Sequence, residues 1–151
     1  RDYQALGLRP PGWQPLQEVI REVMSCLLLP GVSVRSWVER LEVFADPMLD
    51  RVYVNLIENS ARHGETVSEV VITYQLRDDG LVIYVEDDGV GVPEAEKEKI
   101  FEYRVDGGGG LGLFFVREIL SITGMTIQET GRPGEGARFE IHVPPDGYRL
   151  I

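Results

Sequence analysis

The sequence between residues 46 and 63 is DPMLDRVYVNLIENSARH, and it predicts a helix with one apolar and one polar face. Asp46 followed by Pro47 is typical of a helix start, because the carboxylate can accept hydrogen bonds from free backbone N–H groups and proline fits the first helical position. Apolar side chains then recur at helical spacing and indicate a buried stripe. They are Met48, Leu49, Val52, Tyr53, Leu56 and Ile57. We expect the helix to end near His63, before Gly64.

The opposite face of this helix carries Asn55, Asn59, Arg62 and His63, which are three or four residues apart and therefore project together. An amide oxygen is a suitable ligand for Mg²⁺, which takes further ligands from water and phosphates, and an arginine beside it can contact those phosphates. A solvated helix face is the simpler interpretation. Because asparagine is a poor helix former, the pair still needs a reason. Both interpretations remain open on these residues alone.

Residues 85–93 are VEDDGVGVP, an acidic loop that leaves a predicted strand. A carboxylate at a strand end, such as Asp87, can accept a hydrogen bond from an exocyclic amine of the kind that adenine offers. Gly89 and Gly91 allow a ring to approach the backbone closely. A plain acidic turn is the alternative. A calcium loop is excluded, because Val90 and Val92 break the required pattern of oxygen ligands.

A glycine cluster, GGGGLGL, occupies residues 107–113 and opens a predicted helix that extends to about Thr123. A dinucleotide-binding fold is disfavoured, since its glycine loop should follow a strand. A P-loop is excluded because no Gly-Lys-Ser/Thr follows the cluster. Bare backbone N–H groups at a helix N-terminus favour phosphate, whereas a flexible linker is the alternative interpretation.

Around these segments the chain alternates helices with pairs of strands. A further amphipathic helix is expected from Pro15 to about Leu27. The predicted strands are 32–37, 41–45, 70–76, 81–85, 126–130 and 137–143. This order predicts an α/β two-layer sandwich in which helices cover one face of a mixed, mostly antiparallel sheet. We expect residues 1–14 to be a linker and residues 15–151 to form one domain.

The composition restricts the possible partners. The chain has 151 residues and a formal net charge of −10, so we expect neither nucleic acid nor an anionic membrane surface as a partner. The single cysteine, Cys26, cannot form an internal disulfide, which favours a reducing compartment and hence the cytoplasm. No apolar stretch approaches the ~20 residues that span a bilayer. Because the sequence begins at Arg1 without an initiator Met, we expect a fragment of a longer protein.

Four segments, in this order, resemble the motifs of the catalytic, ATP-binding domain of sensor histidine kinases, in the superfamily that includes gyrase, Hsp90 and MutL. Residues 55–63 resemble the N box, and residues 87–91 resemble the first glycine box. Residues 100–103 are similar to the F box, and residues 108–113 to the second glycine box. The resemblance covers about residues 15–143 and implies a Bergerat-type ATP-binding fold, with ATP and Mg²⁺ as cofactors.

The resemblance implies a role for each matching residue. Asn55, Asn59 and Arg62 are the implied catalytic residues: Asn59 coordinates Mg²⁺, Asn55 bears on the attacking group and Arg62 contacts phosphate. Asp87 accepts a hydrogen bond from the adenine amine. The other implied ATP-binding residues are His63, Gly89, Gly91, Phe101, Tyr103, Arg104, Gly108, Gly110, Leu111, Gly112 and Leu113. At Ala137 the family usually has a threonine that supports the aspartate, so we expect that hydrogen bond to be missing or replaced by water.

The resemblance also implies partners. The γ-phosphate of ATP passes to a histidine on a separate, dimerising helical hairpin, and residues 1–14 would be the linker or the tail of that hairpin. Neither His63 nor His142 resembles that acceptor. A homodimer formed only through the hairpin and a downstream response regulator complete the implied set, with no membrane contact by this domain.

Two alternatives use the same fold. A nucleotide-sensing module that transfers nothing is suggested by the short lid between Phe101 and Gly108, in which Arg104 is the only cation. A serine kinase of the anti-sigma-factor type, or an ATPase, would need a carboxylate base at position 55. Glu58 lies about 100° around the helix from Asn59 and is badly placed for that role.

Overall fold

A computed structural model describes residues 6–63, 66–103 and 111–151, without the side chains of residues 63 and 111. The helices are α1 (Leu16–Cys26), α2 (Leu49–His63) and α3 (Leu111–Ser121). The strands are β1 (Gly12–Pro15), β2 (Ser33–Ser36), β3 (Leu41–Ala45), β4 (Glu69–Arg77), β5 (Gly80–Asp87), β6 (Thr126–Glu129), β7 (Arg138–Val143) and β8 (Tyr148–Leu150). Single 3-10 turns lie at Glu94–Glu96, Lys99–Phe101 and Pro145–Gly147.

The strands form two sheets within the described residues. The larger sheet has the order β2-β4-β5-β7-β6; β2 runs parallel to β4, and all other neighbours are antiparallel. The β4–β5 hairpin turns into β5 at Gly80, where φ is +143° and a Cβ would lie 2.2 Å from the Val143 carbonyl oxygen. Only glycine fits such a position. The smaller sheet, β1-β3-β8, is antiparallel. The predicted mixed, mostly antiparallel arrangement is confirmed.

The helices bury their apolar stripes against one face of the larger sheet. Ile83 and Val85 of β5 belong to the core. Glu86, the next residue, is half-buried on the opposite face of the sheet. α2 contacts both α1 and α3, and its Leu56 and Ile57 are fully buried. The predicted two-layer α/β sandwich is therefore confirmed. In the described ranges no helix combines the length and apolar character needed to cross a membrane.

The start of α2 is fixed by the cap that the sequence predicts. The Asp46 carboxylate accepts a hydrogen bond from the Met48 N–H at 2.9 Å, and the Leu49 N–H donates to the Asp46 carbonyl oxygen at 3.0 Å. From β1, the side-chain amide of Gln14 donates to the carbonyl oxygens of Ala45 and Asp46 at 3.0 and 2.9 Å. These bonds hold β1, the end of β3 and the start of α2 together.

The expectation that residues 1–14 are a linker is wrong for residues 12–14, which belong to β1. β1 pairs with β3, and the Trp13 ring packs on Phe44 at a centroid distance of 5.4 Å. The prolines in and before this segment favoured a linker in the sequence-based prediction. An edge strand nevertheless tolerates proline, because one side of its backbone is unpaired. β8, on the other edge, was not among the predicted strands, because three residues carry too little periodicity to be recognised.

Candidate functional site

The polar face of α2 consists of Asn55, Asn59 and Arg62. The asparagines are half-buried and Arg62 is exposed, since this face turns away from the stripe that packs in the core. Within the described part of the chain, neither asparagine side chain has a hydrogen-bond partner. Because half-buried polar groups normally find partners, these amides are suited to a ligand. The side chain of His63 lies outside the described residues.

The start of α3 lies against the polar face of α2. A Cβ added to Gly112 would be 3.9 Å from both Cγ and Oδ1 of Asn55, which is ordinary van der Waals contact. The structure thus brings together two motifs that are far apart in sequence, and the N-terminus of α3 adds partial positive charge beside Asn55. Leu113 is buried in the core. Outside the described residues lie Arg104, Gly108, Gly110 and the side chain of Leu111.

Asp87, the last residue of β5, is a half-buried carboxylate that the backbone holds in one orientation. Its Oδ1 accepts hydrogen bonds from the N–H groups of Gly89 at 2.9 Å and Ala137 at 3.1 Å. Its own N–H donates to the Ala137 carbonyl oxygen at 3.0 Å. By strand alternation it shares the helix-covered face with Val85. In the described ranges Oδ2 has no partner, so one oxygen remains for a ligand that donates a hydrogen bond.

The main chain at Ala137 supplies the support that a threonine side chain was expected to give. The sequence predicts a hydrogen bond to Asp87 that is missing or replaced by water. Alanine has no hydroxyl to donate, but the Ala137 N–H donates to Asp87 Oδ1, so the main chain orients the carboxylate. Side-chain chemistry alone could not reveal this bond, because any residue except proline offers the same donor.

Gly91 is required by a contact within the protein. Its φ is +77°, and a Cβ there would lie 2.9 Å from the Gly136 carbonyl oxygen and 3.1 Å from that of Arg132. The neighbouring Gly89 is buried and serves as a donor to Asp87. The expected close approach to the backbone at Gly91 is therefore made by another protein segment in this structure.

That segment, residues 131–137, is called the closing loop here. Its Gly136 has a φ of +116°, and a Cβ would lie only 2.1 Å from the Asp87 carbonyl oxygen. The Gly134 N–H donates to the Val90 carbonyl oxygen at 2.7 Å. None of the sequence motifs assigned to the site includes this loop. Its signal was the spacing of glycines in GRPGEGA, which permits close contact between two backbones.

Asp88, the next residue in sequence, bonds to residues 68 and 69 and has a structural role. Its carboxylate accepts hydrogen bonds from the Ser68 hydroxyl at 2.5 Å, the Ser68 N–H at 2.8 Å and the Glu69 N–H at 3.1 Å. The Ser68 hydroxyl and these backbone donors hold the pKa of Asp88 below its usual value, although the carboxyl is exposed. Asp88 therefore ties the end of β5 to the start of β4, and Asp87 is the carboxylate left at the site.

The two aromatic residues of the F box occupy different environments. Phe101 is buried and packs edge-on against Phe139, with a centroid distance of 6.1 Å. Tyr103 is exposed, and its ring packs edge-on against Phe114 of α3 at 5.2 Å. Phe101 is thus a core residue near the site, whereas Tyr103 connects the segment before residue 104 to α3.

The oxygen donors of the described site residues fit Mg²⁺ only if water and phosphates supply most of its ligands. Across the described ranges, no group of three or more His, Cys, Asp or Glu side chains is placed to hold a metal ion. The unpartnered amide of Asn59 suits an ion that keeps several waters and takes further ligands from phosphates. The residues therefore fit Mg²⁺ that binds together with a nucleotide.

The two-layer fold, the oriented carboxylate of Asp87 and the unpartnered amides on α2 define a class, the ATP-binding domains in which helices cover one face of a mixed sheet. Residues 45–147 match the family of histidine kinase-, DNA gyrase B- and HSP90-like ATPases. The chain belongs to this family. Its domain is of the kind found in sensor histidine kinases, as the four motifs predict, and the family relationship supports the use of a nucleotide.

Individual relatives agree with this assignment. The chain is 37% identical over 129 residues to the alginate biosynthesis sensor protein KinB of Pseudomonas aeruginosa. The matching region is 82% of the chain but only 21% of KinB. The chain therefore spans about a fifth of that protein. The catalytic domain of histidine kinase ThkA is 27% identical with a TM-score of 0.72, over 90% of the chain and 96% of that domain. The ATP-binding domain of PrrB from Mycobacterium tuberculosis has the same fold, with 23% identity and a TM-score of 0.75 over 91% and 98% of the two chains.

Proposed function

We propose that this chain is the ATP-binding catalytic domain of a two-component sensor histidine kinase. It transfers the γ-phosphate of ATP to a histidine on a dimerising helical hairpin of the same full-length protein. The family membership and the likeness to the ThkA catalytic domain support this proposal. In the same proposal the domain is cytoplasmic, dimerises only through the hairpin and serves a response regulator, a setting that the sensor proteins among its relatives support.

The geometry of Asp87 is the observation that carries this proposal. Two backbone N–H groups hold Oδ1, and Oδ2 faces no donor among the described residues. Adenine presents an exocyclic amine that can donate to such an oxygen. Guanine presents a carbonyl oxygen at the corresponding ring position, which a carboxylate repels. The site therefore favours ATP over GTP.

The phosphates lie along the polar face of α2 in this proposal. Asn59 holds Mg²⁺ through its amide oxygen, Arg62 contacts phosphate and His63 lies beside the nucleotide. When bound, Mg²⁺ neutralises negative charge on the phosphate oxygens. Asn55 lies next to the start of α3 and orients the attacking group. Arg104, Gly108, Gly110, Leu111 and Gly112 complete the cover over the triphosphate.

Five of the proposed residues act indirectly. Phe101 and Leu113 are buried, so they support the site through packing. Tyr103 supports it through its contact with Phe114 on α3. The Gly89 N–H orients Asp87, and Gly91 accommodates the closing loop.

Phosphoryl transfer from ATP requires the protein mainly to position the reactants and to neutralise charge. The bond between the γ-phosphorus and the β,γ-bridging oxygen breaks, its electron pair leaves with ADP, and a bond forms to an imidazole nitrogen of the acceptor. Because such transfer depends on positioning and charge neutralisation, a cation, amides and a helix N-terminus are suitable groups.

The first test is a calorimetric titration of a non-hydrolysable ATP analogue with and without Mg²⁺. We expect Mg²⁺-dependent binding by the wild type and a loss of ~tenfold or more in Asp87→Asn, because the amide lacks the charge and the second acceptor. Asp88→Asn is the matched control and should retain wild-type affinity, since Asp88 is bonded to Ser68 instead. A wild-type chain that binds no adenine nucleotide would refute the proposal.

The second test separates phosphoryl transfer from nucleotide sensing. The chain is mixed with the hairpin of its full-length protein and labelled ATP, and the stability of the phosphorylated product is measured in acid. Acid-labile phosphate on the hairpin, lost with Asn59→Ala, is expected. Acid-stable phosphate would identify a serine kinase. Binding without any transfer would identify a sensing module.

A further inference from the structure

A buried ion pair lies behind the closing loop. The Lys97 side chain is 12% exposed and that of Glu129 is fully buried. The Lys97 ammonium donates to Glu129 Oε1 and, at 2.9 Å, to the Gly131 carbonyl oxygen. Removing two charges from water is unfavourable unless both are paired and hydrogen-bonded, and here both are.

The second oxygen of Glu129 joins the two ends of the closing loop. Oε2 accepts hydrogen bonds from the Gly131 N–H at 3.0 Å and the Arg138 N–H at 2.9 Å. A Cβ at Gly131 would lie 2.8 Å from this same oxygen, so the loop backbone is tightly packed around the carboxylate. One carboxylate therefore fixes where the closing loop leaves β6 and where it enters β7.

The apolar patterns around Lys97 and Glu129 would suit uncharged side chains at both positions. Lys97 precedes the apolar Ile100 and Phe101 by three and four residues, and Glu129 shares a strand face with Ile127. Apolar side chains would suit both positions. Replacing a buried ion pair by well-packed apolar residues is often neutral for stability, but here it would also leave the Gly131 and Arg138 N–H groups without their acceptor. What distinguishes this pair is therefore its hold on the closing loop.

The closing loop transmits this constraint to Asp87. The Gly136 backbone packs against the Asp87 carbonyl oxygen, and Ala137 exchanges two hydrogen bonds with Asp87, one through its N–H to Oδ1 and one through its carbonyl oxygen. The Gly134 N–H adds a bond to the neighbouring Val90. We propose that Lys97 and Glu129 are positioning residues of the nucleotide site, which hold the closing loop so that Asp87 faces the adenine amine. This inference rests on the proposed function, and it assigns base recognition a determinant remote from the base.

A pair of double variants tests the inference. Lys97→Met/Glu129→Leu removes the charges and every acceptor, whereas Lys97→Met/Glu129→Gln removes the charges but keeps an amide oxygen for the Gly131 and Arg138 N–H groups. Calorimetry with non-hydrolysable ATP and GTP analogues measures affinity and the ratio between the two bases. We expect the leucine variant to lose ~tenfold in ATP-analogue affinity and much of the preference for adenine, and the glutamine variant to stay within ~threefold of wild type.

The outcomes separate this inference from the proposed function. A wild type that binds neither analogue refutes the proposed function. A wild type that prefers adenine, with a folded leucine variant equal to it in affinity and base preference, overturns the inference alone. If thermal unfolding shows that the leucine variant does not fold, hydrogen exchange of the wild type decides. Nucleotide should increase protection of the Gly131 and Arg138 amides, and unchanged protection there would overturn the inference.

Discussion

At Asp87 the structure fixes a carboxylate with backbone hydrogen bonds, whereas on α2 two amides have no partner among the described residues. The Asp87 end of the site consists of residues 87–91 and the closing loop, which meet through hydrogen bonds and close backbone contacts. The α2 end consists of Asn55, Asn59 and Arg62, and neither asparagine is bonded within the described residues. In the proposed function, the Asp87 end is complete before the nucleotide binds, and the nucleotide with its metal ion completes the α2 end.

Under the proposed function, this difference separates base recognition from phosphoryl transfer. A fixed acceptor can discriminate between donors and acceptors on a base, because it does not rearrange to suit the wrong one. Unpartnered amides can accept a hydrated metal ion and phosphates whose positions change during transfer. Substitutions at the Asp87 end should therefore change both folding and binding, and those at the α2 end should change binding alone.

The largest effect is expected for Gly136→Ala. The new methyl group would occupy the space of the Asp87 carbonyl oxygen, 2.1 Å away, at a φ of +116° that side chains rarely adopt. We expect the free energy of unfolding to fall by about 3 kcal/mol and nucleotide affinity to be lost, since Asp87 must move. Denaturant unfolding and calorimetry measure the two effects.

Gly134→Ala is the matched control in the same loop. Its φ is +87°, but no atom lies within 4 Å of the added Cβ. Backbone strain without a clash should lower stability by about 1 kcal/mol and leave affinity near the wild-type value. Equal losses in the two variants would show that strain, and not the contact with Asp87, dominates at Gly136.

Asn59→Ala tests the opposite end. The free energy of unfolding should stay the same or rise by about 0.5 kcal/mol, because the amide has no described partner and alanine is the better helix former. Mg²⁺-dependent affinity for the ATP analogue should fall ~tenfold or more, which corresponds to about 1.4 kcal/mol. Glu58→Gln, one position away on another side of α2, should leave affinity unchanged. A destabilised Asn59→Ala protein with normal affinity would reverse the assignment of this end.

The α2 end is predictable from sequence because its order is local. A cap at Asp46 and an apolar stripe fix the helix, and helical periodicity alone then places residues 55, 59 and 62 on one face. The main departure is Gly112, whose contact with Asn55 depends on the packing of α3 against α2. The glycine cluster before it indicates phosphate chemistry but not that neighbour.

The Asp87 end is only half predictable, because its order comes from residues distant in sequence. The acidic loop is visible as a motif, yet its support comes from Ala137, fifty residues further along the chain. Main-chain donors have no side-chain signature, and a buried lysine and glutamate look like surface charges until their partners are known. The sequence did not predict β1 for the same reason, because this segment forms a strand only by pairing with β3.

A smaller effect is expected for Ala137→Thr, which adds the hydroxyl that the motif resemblance implies at this position. Because Asp87 Oδ1 already accepts two backbone N–H groups, we expect affinity for the ATP analogue to increase by no more than ~threefold. Ala137→Val has nearly the same shape without the hydroxyl and isolates its effect. A gain of a hundredfold over the valine variant would show that the backbone alone does not orient Asp87.

The smallest effect is expected for Asp88→Asn, and it depends on pH. The pKa of Asp88 is lowered in the folded state by the Ser68 hydroxyl and backbone donors, so the ionised carboxylate stabilises the fold above its unfolded pKa. This contribution disappears as the pH falls through the folded pKa. At pH 7 the variant should melt about 2 °C lower than wild type, and the difference should shrink below about pH 4.

Asp79→Asn, in the exposed β4–β5 turn, provides the control because it removes the same charge far from Ser68. If both variants showed the same pH dependence, the relief of net negative charge would explain it, and the bonds to Ser68 would not. Nucleotide affinity sharpens the contrast further, since Asp88→Asn should bind the ATP analogue as wild type does. Two adjacent carboxylates would then be separated by experiment: Asp88 stabilises the strands on which the site is built, and Asp87 contacts the ligand.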